Sequence, residues 1–167
     1  MNKFPRSAYV HIPFCHRRCF YCDFAVIPLG NKVETLQGYG SKTVKEYLHF
    51  LYKEILSIKH KSSLSTIYVG GGTPSILDPQ QIKQLIDLFK ENYGVDYGAE
   101  ITMEVDPASF NLDDLHGFIN AGINRFSLGV QSFDNQILQK SGRRHLREDA
   151  EKSCLWLKKV YSAGLIK

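Results

Sequence analysis

The stretch SAYVHIPFCHRRCFYCDF (residues 7–24) joins an alternating run that predicts a β-strand to a loop rich in cysteine. Residues 7–12 form the predicted strand, and Cys15, Cys19 and Cys22 follow it at x3 and x2 spacing. Iron–sulfur clusters are held by thiolates at short spacings of this kind. Three thiolates leave one iron of a 4Fe-4S cluster without a protein ligand, so the spacing predicts a cluster that can bind a small molecule.

Two other interpretations of the cysteine loop remain open from the residues alone. A structural zinc site normally has four ligands, and His11 or His16 would complete a Cys3His set. Unligated thiols are less favoured, because exposed thiols this close together oxidise readily. The fourth cysteine, Cys154, lies inside a helical pattern far along the chain, and we expect it to be a buried free thiol.

The composition is that of one ordinary globular domain, 1–167, with 43% hydrophobic residues and a net charge of +4. Its basic residues are spread out apart from GRRHLRE (142–148), so charge gives no indication of nucleic-acid binding. No apolar run reaches transmembrane length and no signal-peptide core is present, so we expect no membrane span. Together with the clustered cysteines, these features predict a reducing, cytoplasmic location.

Short β-type runs alternate with longer helical patterns along the chain, with an irregular stretch at about 25–42. This order predicts the α/β class, with a parallel sheet or an α/β barrel. The final residues LIK (165–167) look like the start of a fifth strand, and we expect the chain to be an N-terminal fragment. The predicted strands are 7–12, 65–72, 100–107 and 125–133, and the predicted helices, with their caps, are 43–61, 78–94, 111–121, 134–140 and 146–163.

Alternation divides each predicted strand into an apolar face and a small or polar face. A closed barrel fills its interior with branched side chains, which these polar faces lack. The pattern therefore predicts a curved sheet that holds a ligand on its concave side, near the carboxyl ends of the strands. The polar faces carry Tyr9, His11, Tyr68, Gly70, Gly72, Thr102, Glu104, Asp106, Ser127, Gly129 and Gln131.

The cysteine motif after YVHIPF, followed by GGGTPS (70–75) and EVDP (104–107), closely resembles the radical S-adenosylmethionine (SAM) enzymes. In that family the amino and carboxylate groups of SAM chelate the open iron. An electron from the reduced 4Fe-4S cluster then cleaves SAM to methionine and a 5′-deoxyadenosyl radical. The family's core is a six-unit partial (β/α) barrel, so the resemblance implies that this chain supplies about four units.

The resemblance also implies roles for single residues. The three loop cysteines match the cluster ligands, and Gly71, Gly72 and Thr73 match the motif that receives the amino group of SAM. The remaining matches include three residues of the polar faces and look like further SAM contacts: Tyr9, Tyr21, Glu104, Gln131 and Arg143.

Simpler interpretations of these downstream residues exist. Without the cysteines, GGGTP would indicate only a tight turn, and it fits neither common phosphate-binding motif. Glu104 could be a salt-bridged core carboxylate. Arg144 and Arg147 are expected to be ordinary solvated residues at the start of a helix.

Within the family, the match is closest to the branch of oxygen-independent coproporphyrinogen III oxidase and the haem chaperone HemW. The oxidase loop resembles C-x3-C-x2-C-x-C, whereas Phe24 takes the place of the extra cysteine here, as in the chaperone group. The resemblance therefore implies a chaperone that, in full length, binds haem for transfer to acceptor proteins, with an electron donor as a further partner. The alternatives are the oxidase, which decarboxylates two porphyrinogen propionates, and a zinc-stabilised binding module.

Overall fold

The structure is a computed structural model that describes residues 5–30, 39–58 and 62–167. No helix in these ranges is long and apolar enough to cross a membrane. A short 3-10 helix, Pro74–Ile76, follows the fourth strand. The elements are, in chain order, β1 (Ser7–Ile12), β2 (Phe14–Cys15), β3 (Ile27–Pro28), α1 (Tyr39–Ser57), β4 (Leu64–Gly71), α2 (Pro79–Asn92), β5 (Val95–Val105), α3 (Leu112–Ala121), β6 (Arg125–Leu128), α4 (Asn135–Lys140) and α5 (Arg147–Ser162).

The main sheet has the strand order β1-β4-β5-β6, and all three neighbouring pairs are parallel. One row of the register runs through Val10, Val69, Met103 and Phe126, which lie on the apolar faces predicted from alternation. Since all four strands point the same way, their carboxyl ends meet at one edge of the sheet. The predicted α/β class with a parallel sheet is therefore confirmed.

The core lies between the apolar face of the sheet and the helices that cover it. Burying one large apolar side chain stabilises the fold by roughly 1.5–3 kcal/mol, so this layer dominates stability. The buried apolar side chains of the main sheet are Val10, Ile12, Leu64, Ile67, Val69, Ala99, Ile101, Met103 and Val105, and those of α2 and α3 are Ile82, Leu85, Ile86, Phe89, Leu115, Phe118 and Ala121.

The helix boundaries follow the local signals in the sequence. The Asp78 side chain accepts a hydrogen bond from the Gln81 backbone N–H, and the Gln81 side chain accepts one from the Asp78 N–H. Asn111 makes the same reciprocal capping box at the start of α3, and Gly122 ends that helix at φ 109°. These contacts satisfy backbone N–H groups that have no partner within the helix. The predicted starts of α2 and α3 are therefore confirmed.

The predicted fourth strand is longer than the observed one. β6 ends at Leu128, whereas the alternating pattern predicts a strand to residue 133. After Leu128 the chain bends, because the Val130 N–H donates to the Leu128 carbonyl and the Ser132 N–H donates to the Val130 carbonyl. Gln131 adopts φ +63°, which lies outside the β region. Residues 129–133 are thus a loop at the carboxyl end of β6.

Three further expectations differ from the structure. Cys154 is exposed, so the expectation of a buried thiol is wrong: Ser153 takes the inward position on α5 and donates to the Pro107 carbonyl at 3.3 Å. The first helix runs over Tyr39–Ser57, and residues 59–61 of its predicted range lie outside the described residues. Residues 165–167 form no strand, although the Lys167 N–H donates to the Asn124 carbonyl beside β6.

Candidate cofactor site

An open cavity of about 300 Å³ lies at the carboxyl ends of the parallel strands. Its volume is at the lower end of the range of about 300–1,000 Å³ that is typical of small-molecule sites. Of the described residues predicted for the site, Tyr9 alone lies outside the lining. The lining includes Cys15, Cys19, Cys22, Tyr21, Gly71, Gly72, Thr73, Glu104, Gln131 and Arg143.

The cysteine loop forms one wall of the cavity. It is closed by the pairing of β2 with β3, in which the Leu29 N–H donates to the Cys15 carbonyl at 2.8 Å. The Cys22 N–H donates to the Cys19 carbonyl at 3.2 Å, and the Thr73 hydroxyl donates to Cys15 Sγ at 3.4 Å. Burial raises the pKa of the Cys15 thiol, and the Thr73 hydrogen bond opposes that rise. All three thiols are free and half-buried.

The donor set fits an iron–sulfur cluster better than a single zinc ion. Within the described residues, no three His, Cys, Asp or Glu side chains are arranged around one metal ion. The His11 ring bonds to the Tyr9 hydroxyl at 2.9 Å and to the Ala25 carbonyl at 3.0 Å, and His16 bonds to the Gly30 carbonyl at 3.3 Å. A 4Fe-4S cluster binds each thiolate through a different iron, so its ligands need not converge on one point.

The end of β4 passes directly beneath the cysteine loop. The Gly72 N–H donates to the Ile12 carbonyl at 2.8 Å, and the Thr73 N–H donates to the Phe14 carbonyl at 2.7 Å. A Cβ on Gly72 would lie 2.6 Å from the Phe14 oxygen and 3.0 Å from Cys15 Sγ. Glycine is therefore required here by the close approach of two backbones, independently of any ligand.

Glu104 joins β4 to β5 at the cavity. The Tyr68 hydroxyl donates to Glu104 Oε1 at 2.7 Å, and the Gly71 N–H donates to Oε2 at 3.1 Å. Tyr68 also stacks on Tyr9, with ring centroids 6.1 Å apart. Tyr9 therefore packs against a residue that bonds to Glu104 and does not line the cavity itself. Burial and the Glu104 charge raise the pKa of Tyr9. The sequence placed Tyr68 on the polar face but gave no reason to assign it this contact.

Arg143 connects the cysteine loop to the ends of β5 and β6. It forms an ion pair with Asp106, and the two side chains are only 11% and 20% exposed. Its guanidinium also donates to the Gly129 carbonyl at 2.9 Å and to Cys19 Sγ at 3.7 Å. Burial alone would lower the pKa of Arg143, but the Asp106 charge raises it overall. The site therefore holds a fixed positive charge beside one of the three thiols.

The family assignment follows from comparison with known proteins. Residues 9–165 match the Radical SAM superfamily. The chain belongs to the radical SAM superfamily. Membership implies binding of SAM and of a 4Fe-4S cluster. The described geometry brings the cysteine loop, the segment after β4 and Glu104 together at one cavity.

Curated radical SAM relatives come from both groups of the expected branch. The haem chaperone HemW of Synechocystis sp. (strain ATCC 27184 / PCC 6803 / Kazusa) is 41% identical over 150 residues, which cover 89% of this chain and 35% of that protein. Oxygen-independent coproporphyrinogen III oxidase of Escherichia coli (strain K12) is 37% identical over 150 residues, 86% of this chain and 30% of the relative. The chain thus spans about a third of the length of these relatives.

The radical SAM fold is confirmed by a solved structure. Coproporphyrinogen III oxidase (HemN) from Escherichia coli, described as a radical SAM enzyme, matches with a TM-score of 0.79 and 33% identity. The match covers 95% of this chain and 35% of HemN. The expectation of a partial (β/α) barrel of the radical SAM type is therefore confirmed for the four strands of the main sheet.

Phe24 and His145 are two residues whose positions relative to the cavity only the structure shows. Phe24, the residue that distinguishes this loop from the oxidase loop, is exposed and lines the cavity. His145 is fully buried and contacts both Arg143 and the loop after β6. This histidine lies in the motif GRRHLRE. From the sequence, only the arginines of that motif were considered, because its charge pattern does not indicate which of its side chains are buried.

Proposed function

We propose that this chain binds one 4Fe-4S cluster and one SAM molecule and belongs to a haem chaperone of the HemW type. The observation that carries the proposal is that the ends of three parallel strands, β4, β5 and β6, and the cysteine loop line one cavity. Ligands of α/β proteins bind at that edge of a parallel sheet. The clustered cysteines further support a reducing, cytoplasmic location.

In this proposal different groups of lining residues bind the cluster and SAM. Cys15, Cys19 and Cys22 each hold one iron of the cluster, and the fourth iron is left to the amino and carboxylate groups of SAM. When bound, the reduced cluster supplies the electron that cleaves SAM. The backbone at Gly71 and Gly72 receives the amino group of SAM, and glycine is needed at both positions because a Cβ would meet the His11 ring at Gly71 and the Phe14 carbonyl at Gly72.

The remaining predicted contacts position SAM around the cluster. Glu104 carries its negative charge at the floor of the cavity, where it suits the amino group or ribose hydroxyls of SAM as an acceptor. Arg143 suits the SAM carboxylate as a positive charge, with Nη1 as the donor, because Nη2 and Nε already bond to Asp106, Gly129 and His145. Tyr21 and Gln131 line the cavity, and Tyr9 acts through its stacking on Tyr68.

The choice of a haem chaperone rests on Phe24. The oxidase pattern has a further cysteine at this position, and here the cavity wall carries an aromatic ring instead. Haem or a related porphyrin is then the second ligand, with an electron donor and haem-accepting proteins as partners. The second candidate is oxygen-independent coproporphyrinogen III oxidase, which is favoured by the fold similarity to HemN.

Anaerobic reconstitution with iron and sulfide tests the cofactor proposal. We expect about four irons per chain in the unmodified protein and binding of SAM by equilibrium dialysis. Alanine at Cys15, Cys19 or Cys22 should abolish the cluster, whereas Cys154→Ala, the matched control on α5, should retain it. Zinc in place of iron, or loss of iron in the Cys154 variant, would contradict the proposal.

A second experiment separates the chaperone from the oxidase. The reduced, reconstituted protein is incubated with SAM and either haem or coproporphyrinogen III, and both SAM cleavage and porphyrin products are measured by chromatography. SAM cleavage that haem stimulates, without conversion of the porphyrinogen, supports the chaperone. Decarboxylation of coproporphyrinogen III would overturn it in favour of the oxidase.

A further inference from the structure

We propose that His145 is a positioning residue of the SAM site, where its neutral imidazole holds both the Arg143 guanidinium and the loop that carries Gln131. The inference rests on the proposed function, because it assumes that the cavity binds SAM. It assigns a role to a residue that touches neither the cavity nor, in the proposal, any ligand.

His145 is completely enclosed, with 0% of its surface exposed, and each ring nitrogen has a partner. Nε2 lies 3.0 Å from the Val130 carbonyl oxygen. Nδ1 lies 3.3 Å from Nε and 3.1 Å from Nη2 of Arg143. A buried histidine with both nitrogens engaged is held in one orientation, since rotation would leave buried polar atoms without partners.

The two partners permit only one protonation state of the ring. Arg143 can only donate, so Nδ1 of His145 must accept and carries no proton. The Val130 carbonyl can only accept, so Nε2 must carry the proton. A doubly protonated ring would direct the Nδ1–H at the N–H groups of Arg143. Burial and the Arg143 charge lower the pKa of His145, in agreement with this assignment.

These contacts fix the loop after β6 from two sides. His145 donates to the Val130 carbonyl, and Arg143 donates to the preceding Gly129 carbonyl at 2.9 Å. Gln131 follows directly at φ +63°, a conformation that is unfavourable for a residue with a Cβ. The hydrogen bonds to residues 129 and 130 therefore stabilise the backbone that brings Gln131 to the cavity.

The same contacts fix the direction of Arg143. Its Nη2 donates to Asp106 and to the Gly129 carbonyl, its Nη1 donates to Cys19 Sγ, and its Nε donates to His145 Nδ1. Without an acceptor at the position of Nδ1, the Nε–H would be buried and unpaired, and the guanidinium would turn to satisfy it. His145 therefore acts on SAM through Arg143 and Gln131.

The test compares His145→Phe, which keeps a ring but removes both nitrogens, with His145→Asn, whose amide oxygen can replace the Nδ1 acceptor. We expect the Phe variant to bind SAM about tenfold or more weakly at unchanged iron content, and the Asn variant, which restores the acceptor for Arg143 but not the bond to Val130, to recover part of the affinity. The control is Asn92→Ala, which removes two hydrogen bonds to the Ile55 and Ile58 carbonyls away from the cavity. A Phe variant with the affinity of the unmodified protein, or an equal loss in the control, would overturn the proposal.

Two measurements keep the inference testable if the Phe variant does not fold or the unmodified chain does not bind SAM. Nitrogen-15 NMR of the His145 ring in the unmodified chain should show a protonated Nε2 and an unprotonated Nδ1 at neutral pH, and the opposite tautomer would overturn the assignment. Failure of the unmodified chain to bind SAM would refute the proposed function. In that case amide hydrogen exchange at residues 130–132 should still rise in His145→Asn relative to Asn92→Ala, and no rise would refute the positioning role.

Discussion

Replacing Gly72 by alanine should dislodge the cysteine loop without introducing any charge or large side chain. A Cβ at this position would lie 2.6 Å from the carbonyl oxygen of Phe14 and 3.0 Å from Cys15 Sγ. Because this oxygen is a backbone atom, it cannot move away by a side-chain rotation. To remove the clash, β2 and the end of β4 must separate by about 0.8 Å, which restores an ordinary van der Waals contact. That movement would also lengthen the hydrogen bond from the Thr73 N–H to the Phe14 carbonyl.

The cost of the substitution can be worked from these two contacts. Adding a carbon to a well-packed site costs about 1–3 kcal/mol, and loss of one hydrogen bond costs about 0.5–1.5 kcal/mol. We therefore expect Gly72→Ala to lower the free energy of unfolding by about 2–4 kcal/mol, which is a fall in Tm of roughly 5–15 °C for a chain of this length. Because the contact atoms include Cys15 Sγ, the iron content should fall as well.

Thermal unfolding by circular dichroism and iron analysis after reconstitution measure the two effects. Gly98→Ala is the matched control: its φ of +76° carries strain, but no atom lies within 4 Å of the added Cβ. We expect the control to lose about 1–2 kcal/mol of stability and to keep its iron. A Gly72→Ala protein with unchanged Tm and full iron content would refute the reasoning, as would equal loss of iron in the control.

Three further predictions concern other parts of the chain. Cys154→Ser should change the free energy of unfolding by less than about 0.5 kcal/mol in urea titrations, because the thiol is exposed. Asp78→Ala should lower it by about 1 kcal/mol, because the capping hydrogen bond from the Gln81 N–H is lost. The free energy of unfolding should fall as the pH is lowered from about 7.5 to about 5.5. The pKa of His145 is lowered in the folded chain, so in this range the unfolded chain binds a proton that the folded chain does not. His145→Asn should reduce this pH dependence.

Each of these predictions has a contradicting result. Asp78→Asn retains a side-chain oxygen at the cap and should stay close to the unmodified protein, so an equal loss in both variants would rule out the capping explanation. A large destabilisation by Cys154→Ser would mean that the thiol packs against the core. An unchanged pH slope in His145→Asn would mean that other groups titrate in this range.

The sequence was most informative where local chemistry decides the structure. Asp78 and Asn111 begin their helices as predicted, and the alternating strands separate the buried face from the polar face. These features depend on neighbours within a few residues, so they can be read from a single sequence. The cysteine spacing and the motifs after it likewise led to the radical SAM family, which comparison confirmed.

The features that the sequence could not provide depend on contacts between distant residues. β6 stops at Leu128 because the following loop bonds to itself and to Arg143 and His145, although its alternating pattern continues. The burial of His145, in the loop before α5, depends on its contacts with Arg143 and Val130, and the exposure of Cys154 depends on which side of α5 faces the core. The pattern alone could not distinguish them.

The most direct test of the radical SAM site is the electron paramagnetic resonance spectrum of the reduced, reconstituted chain, recorded with and without SAM. We expect a 4Fe-4S signal that changes when SAM is added, because SAM would bind the iron that the three cysteines leave open. A cluster signal that SAM does not change would contradict the SAM site, and the absence of any cluster signal would contradict the cluster itself.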